Sequence, residues 1–158
     1  MRYFCIDLGD KRTGLAVGDD ATGICLPLDV LEIAIDADAG QALLRAVLDA
    51  LADQFSPHAK AEIVVGLPLN MDSTRGPRAK IATAFADRLR PLLNPPRTIH
   101  LFDERLSTAQ ADARMARTGL TRGQKKARRD AIAAAAILEN FLRSRAVPPA
   151  PTTAPDQP

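Results

Sequence analysis

Tyr3-Phe4-Cys5-Ile6-Asp7-Leu8-Gly9 is the stretch from which the fold is read. Its apolar run predicts a buried strand over residues 3–8. Gly9-Asp10-Lys11-Arg12-Thr13-Gly14 then supplies a tight turn, and Leu15-Ala16-Val17-Gly18 a second strand, so the chain opens on a hairpin. Side chains alternate along a strand, which puts Tyr3, Cys5 and Asp7 on one face, with Asp7 close to the strand's end. A carboxylate in a buried strand is costly unless it is paired, hydrogen-bonded or holding a metal. Asp7 is therefore the first candidate for function. The bland alternative is a side chain that caps its own turn.

Working outward, a third strand is expected from Ile24 to Ile33. Helical spacing runs from Ala42 to Phe55, with Leu44, Val47, Leu48 and Leu51 on one side. Ile63-Val64-Val65-Gly66 has the β-branched character of a strand buried on both faces. Leu67 to Pro77 is a loop rich in turn residues. A helix from Arg78 to Leu93 should end before Pro95-Pro96, and Thr98 to Phe102 reads as a further strand. Ser107-Thr108-Ala109-Gln110 has capping-box spacing and should open a helix to about Arg117, stopped by Gly119. The last helix is expected from about Arg128 to Arg145.

This order, β-β-β-α-β-α-β-α-α, predicts an α/β fold. Its mixed five-stranded sheet, with three antiparallel leading strands and two parallel ones, is flanked by helices. Residues 1–146 read as one domain. Residues 147–158 carry five of the twelve prolines and read as a disordered Pro-rich tail.

Composition adds limits. The chain has 158 residues, 46% of them hydrophobic and 25% charged, which suits one globular domain. No apolar run approaches the roughly 18 residues of a membrane span, and no signal peptide is read at the start. The two cysteines, Cys5 and Cys25, lie in apolar strand segments outside any CxxC cluster, as expected of buried thiols in a reducing cytosol. Net charge is only +2, but Arg114, Arg117, Arg122, Lys125, Lys126, Arg128 and Arg129 form a run without an acid, suited either to a polyanion or to a solvated face. Aromatic residues are 4%, too few for a base-stacking platform, so any nucleic-acid contact should be to backbone and shape.

Two further acidic sites accompany Asp7. Asp103-Glu104 follows an apolar strand; neighbours on a strand face opposite ways, so at most one is expected to reach the site, and periodicity does not choose between them. Arg105 is adjacent and could pair with either. Asp130, Ala134, Ile137 and Phe141 follow i, i+4, i+7, i+11 spacing, which turns Asp130 toward the sheet, near the expected start of the last helix. A helix N-terminal dipole favours an acid there but does not explain its inward direction. Carboxylates without clustered His or Cys favour Mg²⁺ or Mn²⁺ over zinc. Two such ions roughly 3.5–4 Å apart could activate water and stabilise the leaving oxygen of a phosphodiester. No P-loop, GxGxxG, HExxH or GxSxG is present.

Four segments resemble one family. They are Asp7-Leu8-Gly9-Asp10-Lys11-Arg12-Thr13-Gly14, Ile63 to Asp72, Asp103-Glu104-Arg105-Leu106-Ser107-Thr108, and Asp130 to Leu138. In this order and spacing they are similar to the YqgF/RuvX family, described as pre-16S ribosomal RNA nucleases or Holliday-junction-resolvase homologues. The resemblance runs from about Tyr3 to Phe141. It implies an RNase H-like fold, and a site of Asp7, Glu104 and Asp130 acting both as catalytic residues and as ligands to Mg²⁺ or Mn²⁺, with two ions expected. The preference for Glu104 over Asp103 comes from the resemblance alone.

Lys11 and Arg12 match the family's basic turn, with phosphate contact as the expected use. Asn70, Arg75 and Arg78 could position a phosphate or sugar beside the strand end, and Arg105, Lys125, Lys126 and Arg128 could contact the nucleic-acid backbone. The expected protein is a cytoplasmic nuclease acting on RNA, with a ribosomal precursor particle as a possible partner and no membrane. The alternatives are a resolvase of four-way DNA and a non-catalytic nucleic-acid-binding protein.

Overall fold

The structure, a computed structural model, describes residues 1–103 and 122–146, and of residues 122–127 the backbone alone. Its centre is a five-stranded sheet in the order β3-β2-β1-β4-β5. The strands are β1 (Arg2–Leu8), β2 (Thr13–Asp19), β3 (Ile24–Leu31), β4 (Ala61–Leu67) and β5 (Ile99–Asp103). β1, β2 and β3 pair antiparallel, as their short turns require, while β4 joins β1 and β5 joins β4 in parallel. The sheet expected from the sequence is thus present, in both strand number and direction. The described residues contain no helix long and apolar enough to cross a membrane.

The pleat divides the core in two. Phe4, Ile6, Leu15, Ile63 and Val65 point to the face covered by α1 (Gln41–Gln54) and α2 (Pro77–Leu89). Leu43, Leu44, Val47 and Leu51 of α1 are buried there, each contributing about 1.5–3 kcal/mol of apolar burial. α2 begins with Pro77, whose missing amide hydrogen is harmless in a first turn. It stops at Leu89 rather than Leu93, because Pro91 cannot donate to a further helical turn; Arg90–Leu92 tighten into a 3₁₀ turn instead.

The other face carries Tyr3, Cys5, Ala16 and Val64 against α3 (Arg122–Ala146). Ala134, Ala135, Ile137, Leu138 and Phe141 form the buried stripe of α3, as the spacing of the last helix predicts. The ring of Phe141 meets those of Tyr3 and Phe102 in edge-to-face fashion, at ring-centre distances of 5.5 Å each. Both cysteines are buried on this side.

α3 starts at Arg122, six residues before the expected Arg128. Residues 122–127 lack apolar periodicity, but Gln124, Lys125, Lys126 and Ala127 are good helix formers. Asp130 is consequently more than two turns inside the helix and no acid occupies the first turn. The helix dipole therefore does not account for Asp130, since its effect fades within one turn.

The expected helix from Ser107, its Gly119 stop, and the tail 147–158 lie outside the described residues, as do Glu104 and Arg105.

Candidate active site

Small residues bring two of the expected acidic positions together. On β2 the face toward α3 is Gly14, Ala16 and Gly18, which leaves a shallow trough for the helix. At Gly14 the contact is backbone on backbone: a β-carbon there would collide with the carbonyl of Asp130 and stand 2.9 Å from the amide nitrogen of Ala131. Gly14 is also the antiparallel partner of Asp7 on β1. Asp7, Gly14 and Asp130 are thus consecutive neighbours in space, although 123 positions separate the two acids in sequence. Alternation carries Asp7 to the α3 face with Tyr3 and Cys5, the face against which the Asp130 backbone lies. Sequence reasoning passed over Gly14 as a turn glycine; the Gly-x-Ala-x-Gly alternation was the signal available for it.

β5 separates Asp103 from this pair. Leu101 packs with the α1/α2 face and Phe102 with the α3 face. Asp103 therefore follows Leu101 onto the α1/α2 face, opposite Asp7. It is paired in register with Leu67, one step past the level of Asp7. Among the described residues, no three His, Cys, Asp or Glu side chains form a cluster able to hold an ion. Those residues supply two carboxylates, whose hard oxygen donors suit Mg²⁺ or Mn²⁺.

The β1–β2 turn brings a cation to Asp130. Gly9 permits its tightness, since a β-carbon there would collide with the carbonyl oxygen of Arg12. Lys11 is exposed at the turn. Arg12 folds back toward α3, with Nε 3.0 Å from Asp130 Oδ2 and Nη2 3.8 Å from Glu32 Oε1. Arg78, in the first turn of α2, donates to the Leu8 carbonyl at 3.4 Å and lies 3.6 Å from Asp10 Oδ1. Glu32 and Asp10 are acids that sequence reasoning missed, since nothing in a turn's composition tells which carboxylate its arginine meets. On α3, Arg128 is exposed two residues before Asp130; the side chains of Lys125 and Lys126 lie outside the described residues.

After β4 the chain makes a turn closed by its own atoms. Asn70 N–H donates to the Thr74 carbonyl at 3.0 Å and Ser73 N–H to the Asn70 carbonyl at 2.9 Å. The Asn70 side-chain amide donates to Thr74 Oγ1 at 2.8 Å, and Asp72 Oδ1 accepts from the Thr74 hydroxyl and amide at 2.6 and 3.0 Å. Ser73 takes a left-handed φ of 66° to complete it. Asn70 thus acts first as a brace, while Arg75 is exposed beyond it and Met71 is 94% exposed at the tip. Asn70→Ala is expected to speed hydrogen exchange at Ser73 and Thr74, with global stability changed by less than about 1 kcal/mol. Exchange mass spectrometry of the 68–77 segment would show it, and unchanged exchange would deny the brace.

A mixed sheet in this strand order, with one helix delivering an acid beside the first strand, is an RNase H-like fold. Among solved structures it is similar to fowlpox virus resolvase in complex with Holliday junction DNA (TM-score 0.57, 13% identity, covering 93% of this chain and 100% of that one). It is also similar to Thermus thermophilus RuvC (TM-score 0.55, 13% identity, covering 92% and 96%). Residues 1–144 match the family described as RuvX, Holliday junction resolvase, and the chain belongs to that family. Among curated relatives, a protein of Anaeromyxobacter sp. (strain K) is 38% identical over 146 residues, 92% of this chain and 99% of its own. One of Opitutus terrae is 42% identical over 151 residues, 96% and 97% of the two chains. Both carry the name "Putative pre-16S rRNA nuclease".

Proposed function

We propose that this protein is a divalent-metal-dependent nuclease that cuts RNA phosphodiesters in maturing the 5′ end of small-subunit ribosomal RNA. The observation that supports the chemistry is the Asp7–Gly14–Asp130 contact, in which the backbones of two acidic residues flank one glycine. The choice of RNA rests on the relatives of that name, 38–42% identical over nearly the whole of both chains. The likeness to DNA resolvases is 13% and concerns the fold.

Asp7 and Asp130 hold the cations, with Glu104 as the third carboxylate, a role for which the opposite-facing Asp103 is unsuited. Mg²⁺ or Mn²⁺ bound there supplies positive charge to the phosphate oxygens and acidifies water. Lys11, Arg12 and Arg78 meet the scissile phosphate and its neighbours; Asn70 holds the turn that carries the chain to Arg75. Arg105, Lys125, Lys126 and Arg128 track the strand's backbone beyond the site. With few aromatic residues, 4% of the chain, recognition is by backbone and shape. The domain doing this is residues 1–146, and the Pro-rich tail is dispensable.

The test is cleavage, with Mg²⁺ or Mn²⁺, of a precursor ribosomal RNA 5′ fragment and of a four-way DNA junction. Cutting of the RNA alone supports the reading. Paired symmetric cuts in the junction alone would instead make the protein a resolvase, which needs two subunits in symmetric register. RNA binding should weaken by about 10³-fold between 50 and 200 mM salt if some six phosphates are contacted. Salt-independent binding would remove the basic residues from the interface.

A further inference from the structure

We infer that Arg12 and a divalent cation compete for Asp130, so that Arg12 is a placeholder for the metal: its guanidinium pairs with this carboxylate and is released toward a phosphate when a cation loads. The inference rests on the nuclease reading above. Its observation is the 3.0 Å separation of Arg12 Nε from Asp130 Oδ2, at a nitrogen shielded from solvent.

A carboxylate oxygen that ligates Mg²⁺ stands about 2.0–2.1 Å from it. A guanidinium left at its present distance from the same carboxylate would face a doubly charged ion within a few ångströms, with little water between. Like charges so placed repel strongly. The ion and Arg12 therefore compete for Asp130. Arg12 has somewhere to go: Glu32, 3.8 Å from Nη2 and three-quarters exposed, holds the displaced side chain beside the site. An arriving phosphate, which matches the guanidinium fork, completes the exchange.

Linkage makes the consequence reciprocal. Whatever draws Arg12 off Asp130 tightens ion binding, and the ion tightens phosphate binding by the same factor. Substrate and metal thus load together.

Two measurements test this on the full chain. The first is Mn²⁺ binding, followed by loss of the free-ion electron paramagnetic resonance signal. Arg12→Gln should bind Mn²⁺ about fivefold or more tightly than the parent, and Asp130→Asn should lose the site. The second is the ¹⁵N resonance of the Arg12 Nε–H, assigned by its disappearance in Arg12→Gln. Saturating Mg²⁺ should shift it toward its position in ion-free Asp130→Asn, where the pair is already broken. Mn²⁺ bound in an Asp130-dependent way, with the Arg12 resonance unmoved by Mg²⁺ and no gain in Arg12→Gln, would overturn the placeholder and leave the nuclease reading standing. Absence of Asp130-dependent Mn²⁺ binding in the parent would overturn both.

Discussion

Asp7→Asn is expected to lower cleavage by at least about a hundredfold, while leaving the fold intact. The substitution keeps the shape of the side chain and removes its charge, so the ion loses a ligand and the phosphate oxygens lose about 3 kcal/mol of stabilisation. The backbones of Asp7 and Asp130 flank Gly14. The change is isosteric and leaves the backbone pairing of β1 with β2 in place, so melting curves should show a folded protein. Asp130→Asn should lower cleavage as much, and should also lower the melting temperature slightly, because it removes the partner of Arg12. Cleavage rates set beside melting curves make the check. An Asp7→Asn protein that is folded and fully active would place the chemistry elsewhere.

Gly14→Ala should be nearly as damaging to catalysis for a different reason. The new methyl group would collide with the Asp130 carbonyl and the Ala131 amide, and none of these is a side chain able to rotate away. Helix and hairpin must move apart, at about 1–3 kcal/mol of stability, or several degrees of melting temperature for a domain of this size. A displacement of about 1 Å between the two carboxylates can cost roughly a hundredfold in rate. Gly18→Ala is the control on the same strand face. There the added methyl meets Leu138 Cδ2 at 2.8 Å and Cys25 Sγ at 3.0 Å, tips of side chains, with the Ile24 carbonyl at 3.1 Å. It should lower stability comparably and keep activity within about twofold. Equal activity losses in the two variants would show that Gly14 matters only for packing.

The strands were legible because period-two patterning and β-branched runs leave little choice, as in Ile63-Val64-Val65. The direction of pairing followed from loop lengths alone. The inward direction of Asp130 was legible from its stripe, but not its depth in α3, because Arg122 to Ala127 shows propensity without periodicity. The meaning of Gly14 was hidden for a plainer reason: a glycine's role is set by what approaches it, here a backbone more than a hundred residues away. The placing of Asp103 on the face away from Asp7 needed the pleat of β5, fixed by the partners of Leu101 and Phe102; Glu104 lies outside the described residues. The destination of Arg12 needed the shape of a tight turn, which composition does not encode.

The small turn after β4 has a consequence for recognition. Its hydrogen bonds run among residues 70–74, so the loop holds its shape from within. Its tip, Met71, is almost wholly in solvent. A unit ordered before any partner arrives has little further freedom to lose on contact. What the turn presents is thus offered already in shape.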